Sequence, residues 1–294
     1  DCLACVSPVV SYQFLGSAAT SQVVAEALGM TIPHAALAPS GQPIWLEIAK
    51  QSAAVLWDQH ERKACLKDIL NEDSFYNAIA VHAACGGSTN LLLHVPAVAF
   101  AAGLPRPSID LWTEINRKVA RFVDVLPNGP QYHPTVRLFM AGGVPEVMWH
   151  LRELGIAKCE AKTVTGLTWH EILDEWHGSD RRLAIREALM RQDGIDPDDV
   201  ILPPKKAQSM GLSSTVCFPI GNICPDGSVI KSTAIDPTVI DADGPRTPRT
   251  APPHRDASVA PVAMGPPAAA TAIEPAAPQG VNLDRGDAKR QLAD

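Results

Sequence analysis

The residues best suited to chemistry lie in the stretch Gly86–Asn90, GGSTN, which directly precedes an apolar run typical of a helix. The two glycines allow close approach of the backbone to a ligand. The hydroxyls of Ser88 and Thr89, with the free N–H groups of a helix start, can bind an anion such as a carboxylate. An ordinary helix cap is the alternative, and the spacing alone favours it. We therefore retain Ser88, Thr89 and Asn90 as candidate substrate-binding residues.

Cysteines are the other residues able to hold a metal, and the chain has seven of them. Cys2 and Cys5 form a C-x-x-C pair, but Cys217 and Cys224 are seven residues apart, so a second pair with zinc spacing is missing. A structural zinc site is therefore not predicted. For three others we expect buried free thiols: Cys65, Cys85 and Cys159.

The histidines are scattered, without the i, i+4 spacing of a metal site: His34, His82, His94, His133 and His150. His82 and His94 flank the GGSTN stretch and could reach the same cleft, although each alone is typical of a core or rim histidine. The chain contains no G-x-S-x-G, Walker or G-x-G-x-x-G motif. The residues alone thus predict an α/β domain whose Gly-rich helix starts could hold a small anion.

Apolar periodicity indicates that helices position these residues. A helix is predicted from Ser17, which could cap it, to just before Gly29. A second is predicted over residues 44–57, a third over residues 74–84, and a buried one from Leu91. The inward face of the second helix is predicted to contain Ile44, Trp45, Ile48, Ala49, Val55 and Leu56.

Downstream segments predict a mixed pattern. PTVRLFMAGG predicts a short strand that enters a glycine turn, and GVPEVMWHLRELG predicts an amphipathic helix with an early proline. For AGGVPE, residues 141–146, we expect a packing role rather than a binding role. HEILDEWHGSDRRLAIREAL predicts a charged helical pair at the surface. From about Ser213, β-branched residues punctuated by Gly and Pro predict strands with tight turns.

Composition restricts the class of protein. A hydrophobic content of 46% and a charged content of 19% are typical of a soluble globular protein, and the net charge of −7 argues against nucleic-acid binding. The longest apolar run is interrupted by His94 and Pro96 and is too short to span a membrane. An odd number of cysteines without a secretory signal predicts a cytoplasmic location.

The last part of the chain differs from the rest. Residues 244–294 include nine Pro and twelve Ala but no Phe, Trp or Tyr, which predicts disorder because little apolar area can be buried. We expect a partial α/β domain at residues 1–210, the beginning of a β-rich domain at 211–243 and a disordered tail at 244–294. The start at Asp1 without an initiator Met leads us to expect missing upstream sequence.

Five stretches, in this order, resemble the dihydroxy-acid/phosphogluconate dehydratase family, and most closely its sugar-acid branch, the D-xylonate (aldonate) dehydratases. They are QFLGSAATSQVVAEALGM, PHAALAPSGQPIW, VHAACGGSTNLLLHVPAVAFAAGL, VLPNGPQYHPTVRLFMAGGVPEVMWHLRELG and STVCFPIGNICPDGSVIKSTAIDP. The resemblance covers about Cys5–Asp243. It implies an α/β substrate and cluster domain followed by the start of a β-barrel-like C-terminal domain, here truncated. It also implies a homodimer or homotetramer for an intact member.

The resemblance further implies hydro-lyase chemistry, in which a 2,3-dihydroxy acid loses water and gives a 2-keto-3-deoxy acid. In that family three cysteine thiolates hold an iron–sulfur cluster, 2Fe–2S or 4Fe–4S, whose open iron acts as a Lewis acid on the leaving hydroxyl. A Mg²⁺ ion binds the carboxylate and the 2-hydroxyl, and a serine alkoxide of the C-terminal domain removes the C2 proton. The expected partner is a small sugar acid, with neither nucleic acid nor membrane.

The family's cluster motif, Gly-Gly-Gly-Cys-Gln-Phe-Leu-Gly, corresponds to residues 9–16, VVSYQFLG, so Tyr12 stands at the position of the third cluster cysteine. A phenol with a pKa of about 10 is a poor replacement for a thiolate. Cys5 is a weaker substitute candidate. The other cluster cysteines, the Mg²⁺ ligands and the basic serine are expected outside the matching region. We therefore expect this chain alone to contain no catalytic residue and to bind neither cofactor.

Several hypotheses stay open at this point. The first is a sugar-acid dehydratase of which this chain is an inactive fragment, and the nearest alternative enzyme is a dihydroxy-acid dehydratase of branched-chain amino-acid synthesis. The second is a non-catalytic remnant, either a pseudo-enzyme or the product of a damaged or misread gene. The third is an interaction module that uses residues 244–294 as a linker.

Overall fold

Helices make up most of residues 14–39 and 41–234, the part of the chain that this computed structural model describes. The helices of seven or more residues are α1 (Ser17–Ala27), α2 (Pro43–Arg62), α3 (Glu72–Cys85), α4 (Leu91–Ala102), α5 (Ile109–Lys118), α6 (Thr135–Ala141), α7 (Gly143–Glu153), α8 (Trp169–His177) and α9 (Asp180–Asp193). Shorter elements are α10 (Pro197–Val200), α11 (Pro204–Ser209), β1 (Val216–Cys217), β2 (Ile230–Lys231) and two 3₁₀ turns, Leu66–Asp68 and Ser232–Ala234.

Helix α3 is the centre of the hydrophobic core. All its residues from Asn77 to Cys85 are buried, and α1, α5 and α7 pack against it. Several of these residues are alanines, whose small side chains allow neighbouring helices to approach closely. At its start, the Asn71 side chain accepts from the Ser74 N–H, and the Ser74 hydroxyl meets the Asn71 N–H in return. Helix α3 is therefore fixed along its length and positions the GGSTN turn at its end.

A buried ion-pair cluster ties α7 to α8, α9 and α10. Its centre is Glu146, whose carboxylate accepts two 2.7 Å hydrogen bonds from Arg182 and one of 3.1 Å from the Trp176 indole. Arg186 lies 3.6 Å from the same carboxylate and donates to Asp198. Burial opposes ionisation of Glu146, but the arginines outweigh it and hold the pKa of Glu146 below its usual value. The cluster fixes the mutual arrangement of these helices.

The two strands form an antiparallel pair in the register Val216↔Lys231 and Cys217↔Ile230. Strands after residue 213 were predicted, and this pair confirms them for its short extent. A helix-rich chain with a two-stranded sheet is compatible with the predicted α/β class. The β-barrel-like C-terminal domain and the boundaries at residues 210 and 243 stay predictions, and residues 235–294 lie outside the described part of the chain.

Helices α1, α3, α7 and the α8–α9 pair confirm the periodicity, whereas two other predictions are wrong, one of them in part. PTVRLFMAGG does not form a strand, because Thr135–Ala141 is helix α6, which packs on α9 and α10. The predicted inward face of α2 is wrong in part. Ile48 is buried and the partly buried Ile44 and Val55 pack against the same small apolar cluster, whereas Trp45, Ala49 and Leu56 are exposed.

Helix α4 is less buried than predicted. Leu91, Val95 and Ala99 face the core, but Leu93 and Phe100 are each more than 70% exposed. Helix α4 therefore has more apolar side chains than the core of the described residues buries. Within the described residues, no helix combines the length and the hydropathy needed to cross a lipid bilayer.

Candidate functional site

The GGSTN turn begins where α3 ends. Gly86 adopts the left-handed conformation, φ 65°, that closes a helix and that favours glycine. At Gly87 a Cβ atom would lie 2.3 Å from Cδ2 of His82 and 2.7 Å from Cγ2 of Thr20, so only glycine fits. The glycines were predicted to let a ligand approach the backbone, and that role stays a prediction. In the structure, the groups that approach are side chains of α3 and α1.

Beyond the glycines, the turn brings two helix starts together. The Ser17 and Ser88 hydroxyl oxygens are 3.1 Å apart, and the Asn90 amide donates to the Ser17 hydroxyl at 2.6 Å. The Ser88 N–H donates to the Thr20 hydroxyl at 3.1 Å. Neither Gly16, the N-cap of α1, nor Asn90, the N-cap of α4, makes a side-chain capping bond. Two positive helix ends thus lie side by side at the surface.

The candidates Ser88, Thr89 and Asn90 therefore come together, although not as a standard cap. Ser88 and Thr89 are half-buried and Asn90 is exposed. Ser17 was predicted as the cap of α1, which is wrong, since Gly16 holds that position and the Ser17 hydroxyl reaches across to the turn. The binding role of the three candidates stays a prediction.

His82 and His94, which flank the turn, differ in position. His82 is fully buried under the turn, with its Nε2 2.9 Å from the Ser88 carbonyl oxygen. Burial lowers the pKa of His82 to about 4, so the ring is neutral and donates Nε2–H to that carbonyl. His94 is exposed. Of the two histidines that could reach one cleft, the structure places only His82 against the turn.

A second set of residues holds the Gly86 carbonyl oxygen. The side-chain Nδ2 of Asn128 donates to this oxygen, and so does the Lys231 ammonium, at 3.0 Å. The Thr233 hydroxyl donates in turn to the side-chain Oδ1 of Asn128 at 3.0 Å. Sequence reasoning missed Asn128 and Lys231, because Lys231 lies 145 residues from Gly86 and no local pattern joins them.

Lys231 has an unusual electrostatic environment. Burial, together with repulsion by the nearby Arg121 guanidinium, lowers the pKa of Lys231 to about 8. Arg121 is itself buried, and burial lowers its pKa. This side of the turn is therefore positively charged, in contrast to the net charge of −7 for the whole chain.

The described residues do not by themselves fit an iron–sulfur cluster or a bound metal ion. Among residues 14–39 and 41–234, no three His, Cys, Asp or Glu side chains lie together in a way that could hold a metal. Cys85 is buried as expected and its burial raises the pKa of the thiol to about 12, which keeps it protonated. The expected burial is wrong for Cys65, which is exposed, and Cys159 is intermediate. Tyr12 and Cys5 lie outside the described residues.

Comparison with known proteins identifies the relatives of this chain. Residues 5–172 match the family model described as dihydroxy-acid/6-phosphogluconate dehydratase N-terminal. Over 243 residues the chain is 61% identical to the D-xylonate dehydratase YagF of Escherichia coli K12 and 55% identical to the D-xylonate dehydratase YjhG of the same strain. A dihydroxy-acid dehydratase of Thermodesulfovibrio yellowstonii is 31% identical over 236 residues.

These matches cover most of this chain and a smaller part of each relative. The aligned region is 83% of this chain but 37% of YagF and of YjhG, and for the T. yellowstonii enzyme the shares are 80% and 38%. The chain thus spans little more than a third of the length of these relatives. The predicted family resemblance is confirmed, by the family model over residues 5–172 and by relatives that align with up to 83% of the chain.

Proposed function

Because the chain belongs to the dihydroxy-acid/6-phosphogluconate dehydratase family, we propose that it is part of a hydro-lyase that converts a 2,3-dihydroxy sugar acid into a 2-keto-3-deoxy acid. The two relatives that are more than 50% identical are D-xylonate dehydratases. All three relatives named above are dehydratases, which are hydro-lyases. The proposed substrate is xylonate or a similar aldonate. In this proposal Ser88, Thr89 and Asn90 form part of the substrate-facing wall.

The observation that carries the sugar-acid proposal is the difference in identity between the two kinds of relative. It is 61% and 55% to the xylonate dehydratases but 31% to the dihydroxy-acid dehydratase. The paired helix starts at the GGSTN turn support the proposal, since they suit the carboxylate that all these substrates share. A branched-chain dihydroxy-acid dehydratase is the alternative that this difference disfavours.

The cofactors proposed for the intact enzyme are an iron–sulfur cluster and Mg²⁺. The described residues do not form a site for either, and Tyr12 replaces the thiolate that the family motif would provide. We therefore propose that the chain alone is catalytically inactive. A non-catalytic remnant of the family is the second candidate function, and Tyr12 is the observation that favours it.

Two chimeras of YagF would test the proposal. The first replaces the matched segment of YagF by residues 14–234 of this chain, and the second by residues 5–234, which adds Tyr12. We expect the first chimera to dehydrate xylonate faster than a branched-chain dihydroxy acid, because it receives the substrate-facing wall. We expect the second to lose bound iron and activity. The readouts are keto-acid formation and iron content.

Each outcome separates the hypotheses. A first chimera that folds with bound iron but dehydrates no sugar acid would contradict the sugar-acid proposal. A second chimera with full iron content and activity would show that Tyr12 is compatible with the cluster, and the remnant hypothesis would fail. A Tyr12→Cys variant of the second chimera is the matched control, and we expect it to regain iron. A cytoplasmic location and a family-type homo-oligomer remain proposals for the intact protein.

A further inference from the structure

Lys231 contacts the GGSTN turn, and Arg121 lies near the end of α3, where the N–H of the next residue, Phe122, donates to the Ala84 carbonyl oxygen. Arg121 is 8% exposed and Lys231 is half-buried, and the charge of Arg121 disfavours that of Lys231. Neither forms an ion pair within residues 14–39 and 41–234. Like charges in a partly buried region cost free energy, and of these two cations only Arg121 has a nearby acidic group, Asp124. An anion bound beside Lys231 would recover part of that cost.

Two buried polar atoms near the end of α3 lack a partner in the described part of the chain. They are Nε of Arg121 and the hydroxyl oxygen of Thr215, a residue that is 1% exposed. Thr215 lies against Gly86, since its Cγ2 would be 3.1 Å from a Cβ built there, and Lys231 Nζ is 3.0 Å from the Gly86 carbonyl oxygen. Buried polar groups without partners are rare and indicate an absent ligand or solvent.

The charged and titratable neighbours leave the site positive. Asp124 attracts Arg121, but its carboxylate already accepts from the backbone N–H groups of Gln131, at 2.9 Å, and Tyr132, at 3.0 Å. His82 interacts with Lys231 and is neutral because it is buried. Of its three N–H donors, the Lys231 ammonium uses one on Gly86. Its other two donors make no hydrogen bond within residues 14–39 and 41–234 and could bind a ligand.

We propose that Lys231 binds the carboxylate of a small hydroxy acid against the GGSTN turn, with the Thr215 hydroxyl as a further hydrogen-bonding group and the Arg121 guanidinium as a nearby positive charge. The choice of a sugar acid as ligand rests on the proposed function, whereas the need for an anion does not. The site thus selects a carboxylate over the neutral sugar. Strand β2 positions the Lys231 ammonium at Gly86, and the two helix starts at the same turn add positive partial charge.

Calorimetric titration of the full chain at pH 7 and low salt tests the proposal. The probes are xylonate, the neutral sugar xylose, and sulfate as an anion without hydroxyl groups. We expect xylonate to bind at least tenfold more tightly than xylose. We also expect Lys231→Gln to weaken xylonate binding about tenfold or more, the usual effect of losing a charged hydrogen bond. Lys231→Arg keeps the charge and retains most of the binding. Lys205→Gln, at an exposed lysine, is the matched control and leaves binding unchanged.

Thr215→Val keeps the shape of the side chain and separates binding from folding. If the hydroxyl has no partner in the free chain, this variant has a urea midpoint at or above that of the parent, yet binds xylonate several-fold more weakly. The proposal is overturned if both Lys231→Gln and Thr215→Val bind xylonate as tightly as the parent. It is also overturned if xylose binds as tightly as xylonate, or if neither xylonate nor sulfate binds. A chimera that dehydrates xylonate while these variants bind normally overturns this inference and leaves the proposed function standing. If the variants bind xylonate more weakly as expected while the first chimera is inactive, the inference stands and the proposed function is contradicted.

Discussion

The Glu146 cluster and the Lys231–Arg121 pair are both partly buried groups of charges, and they differ in how these charges are paired. Around Glu146, Arg182 and Arg186 meet a carboxylate and the Trp176 indole donates to the same oxygen as Arg182. Lys231 instead donates to one carbonyl oxygen, that of Gly86, and within the described residues neither Lys231 nor Arg121 forms an ion pair with a carboxylate.

This difference distinguishes a structural cluster from a candidate binding site. A buried charge with its partner in place fixes the arrangement of helices, and losing that partner is costly. A buried charge without one leaves an interaction for a ligand to complete. The two regions should therefore respond differently to substitution, pH and ligand.

The largest expected effect is at Glu146. Glu146→Ala leaves Arg182 and Arg186 without their carboxylate, so we expect the free energy of unfolding to fall by about 4 kcal/mol, measured by urea denaturation. Asp174→Ala is the control, because it breaks an exposed pair with Arg152 and should cost less than about 1 kcal/mol. Equal losses in the two variants would remove the distinction between the Glu146 cluster and a surface pair.

Gly87→Ala is expected to have the next largest effect. The added Cβ would overlap the His82 ring and Thr20 in the core, so we expect a loss of about 3 kcal/mol, measured in the same way. Gly178→Ala is the control, because no atom lies within 4 Å of a Cβ there. If Gly87→Ala is as stable as Gly178→Ala, the turn is not the tightly packed element described above.

Part of the fold and of the candidate site could be predicted from the sequence. The GGSTN turn and helices α1, α3 and α7 were predictable, because glycines, caps and apolar periodicity act locally. Helix α6 was not, since the apolar, β-branched start of PTVRLFMA resembles a strand. Its helical form is favoured by burial of Val136, Leu138 and Phe139.

The remaining part of the site depends on contacts between distant residues. Lys231 meets Gly86 across 145 residues, and Thr233 meets Asn128 across 105. Neither pair leaves a local pattern in the sequence. The face of α2 that meets the core was missed in part for a related reason, since apolar composition cannot specify which apolar residues find a partner.

A smaller effect is expected when pH falls. Because the pKa of His82 is lowered from 6.5 to about 4 in the folded chain, the unfolded chain binds the proton first, and stability present above pH 6.5 is lost as the pH falls toward 4. Between pH 6.5 and 5 this contribution is about 2 kcal/mol. We therefore expect the loss of stability over this range to be about 2 kcal/mol smaller in His82→Gln than in the parent.

Denaturant unfolding at the two pH values measures this difference. His94→Gln is the control, because that ring is exposed, and it should show the same loss as the parent. A His82→Gln variant with the parent's pH dependence would mean that His82 is not a neutral donor to Ser88.

The smallest expected effect is at Ser17. Ser17→Ala removes the hydroxyl that joins the starts of α1 and α4, so we expect a loss of about 1 kcal/mol in denaturant unfolding. Ser21→Ala removes a hydrogen bond within α1 and is the control for stability. Only Ser17→Ala should also weaken xylonate binding, and an equal effect of both variants on binding would show that the paired helix starts have no part in it.

The long-range contact of Lys231 with Gly86 has a consequence for biosynthesis. At about 5–20 residues per second, a ribosome completes Lys231 roughly 7–30 s after Gly86, which exceeds the time that a small helical unit needs to fold. The nascent chain can thus form α3 and its turn while the Gly86 carbonyl still lacks its ammonium donor. If the proposed anion site is correct, translation of β2, rather than formation of the core, is then the event that completes it.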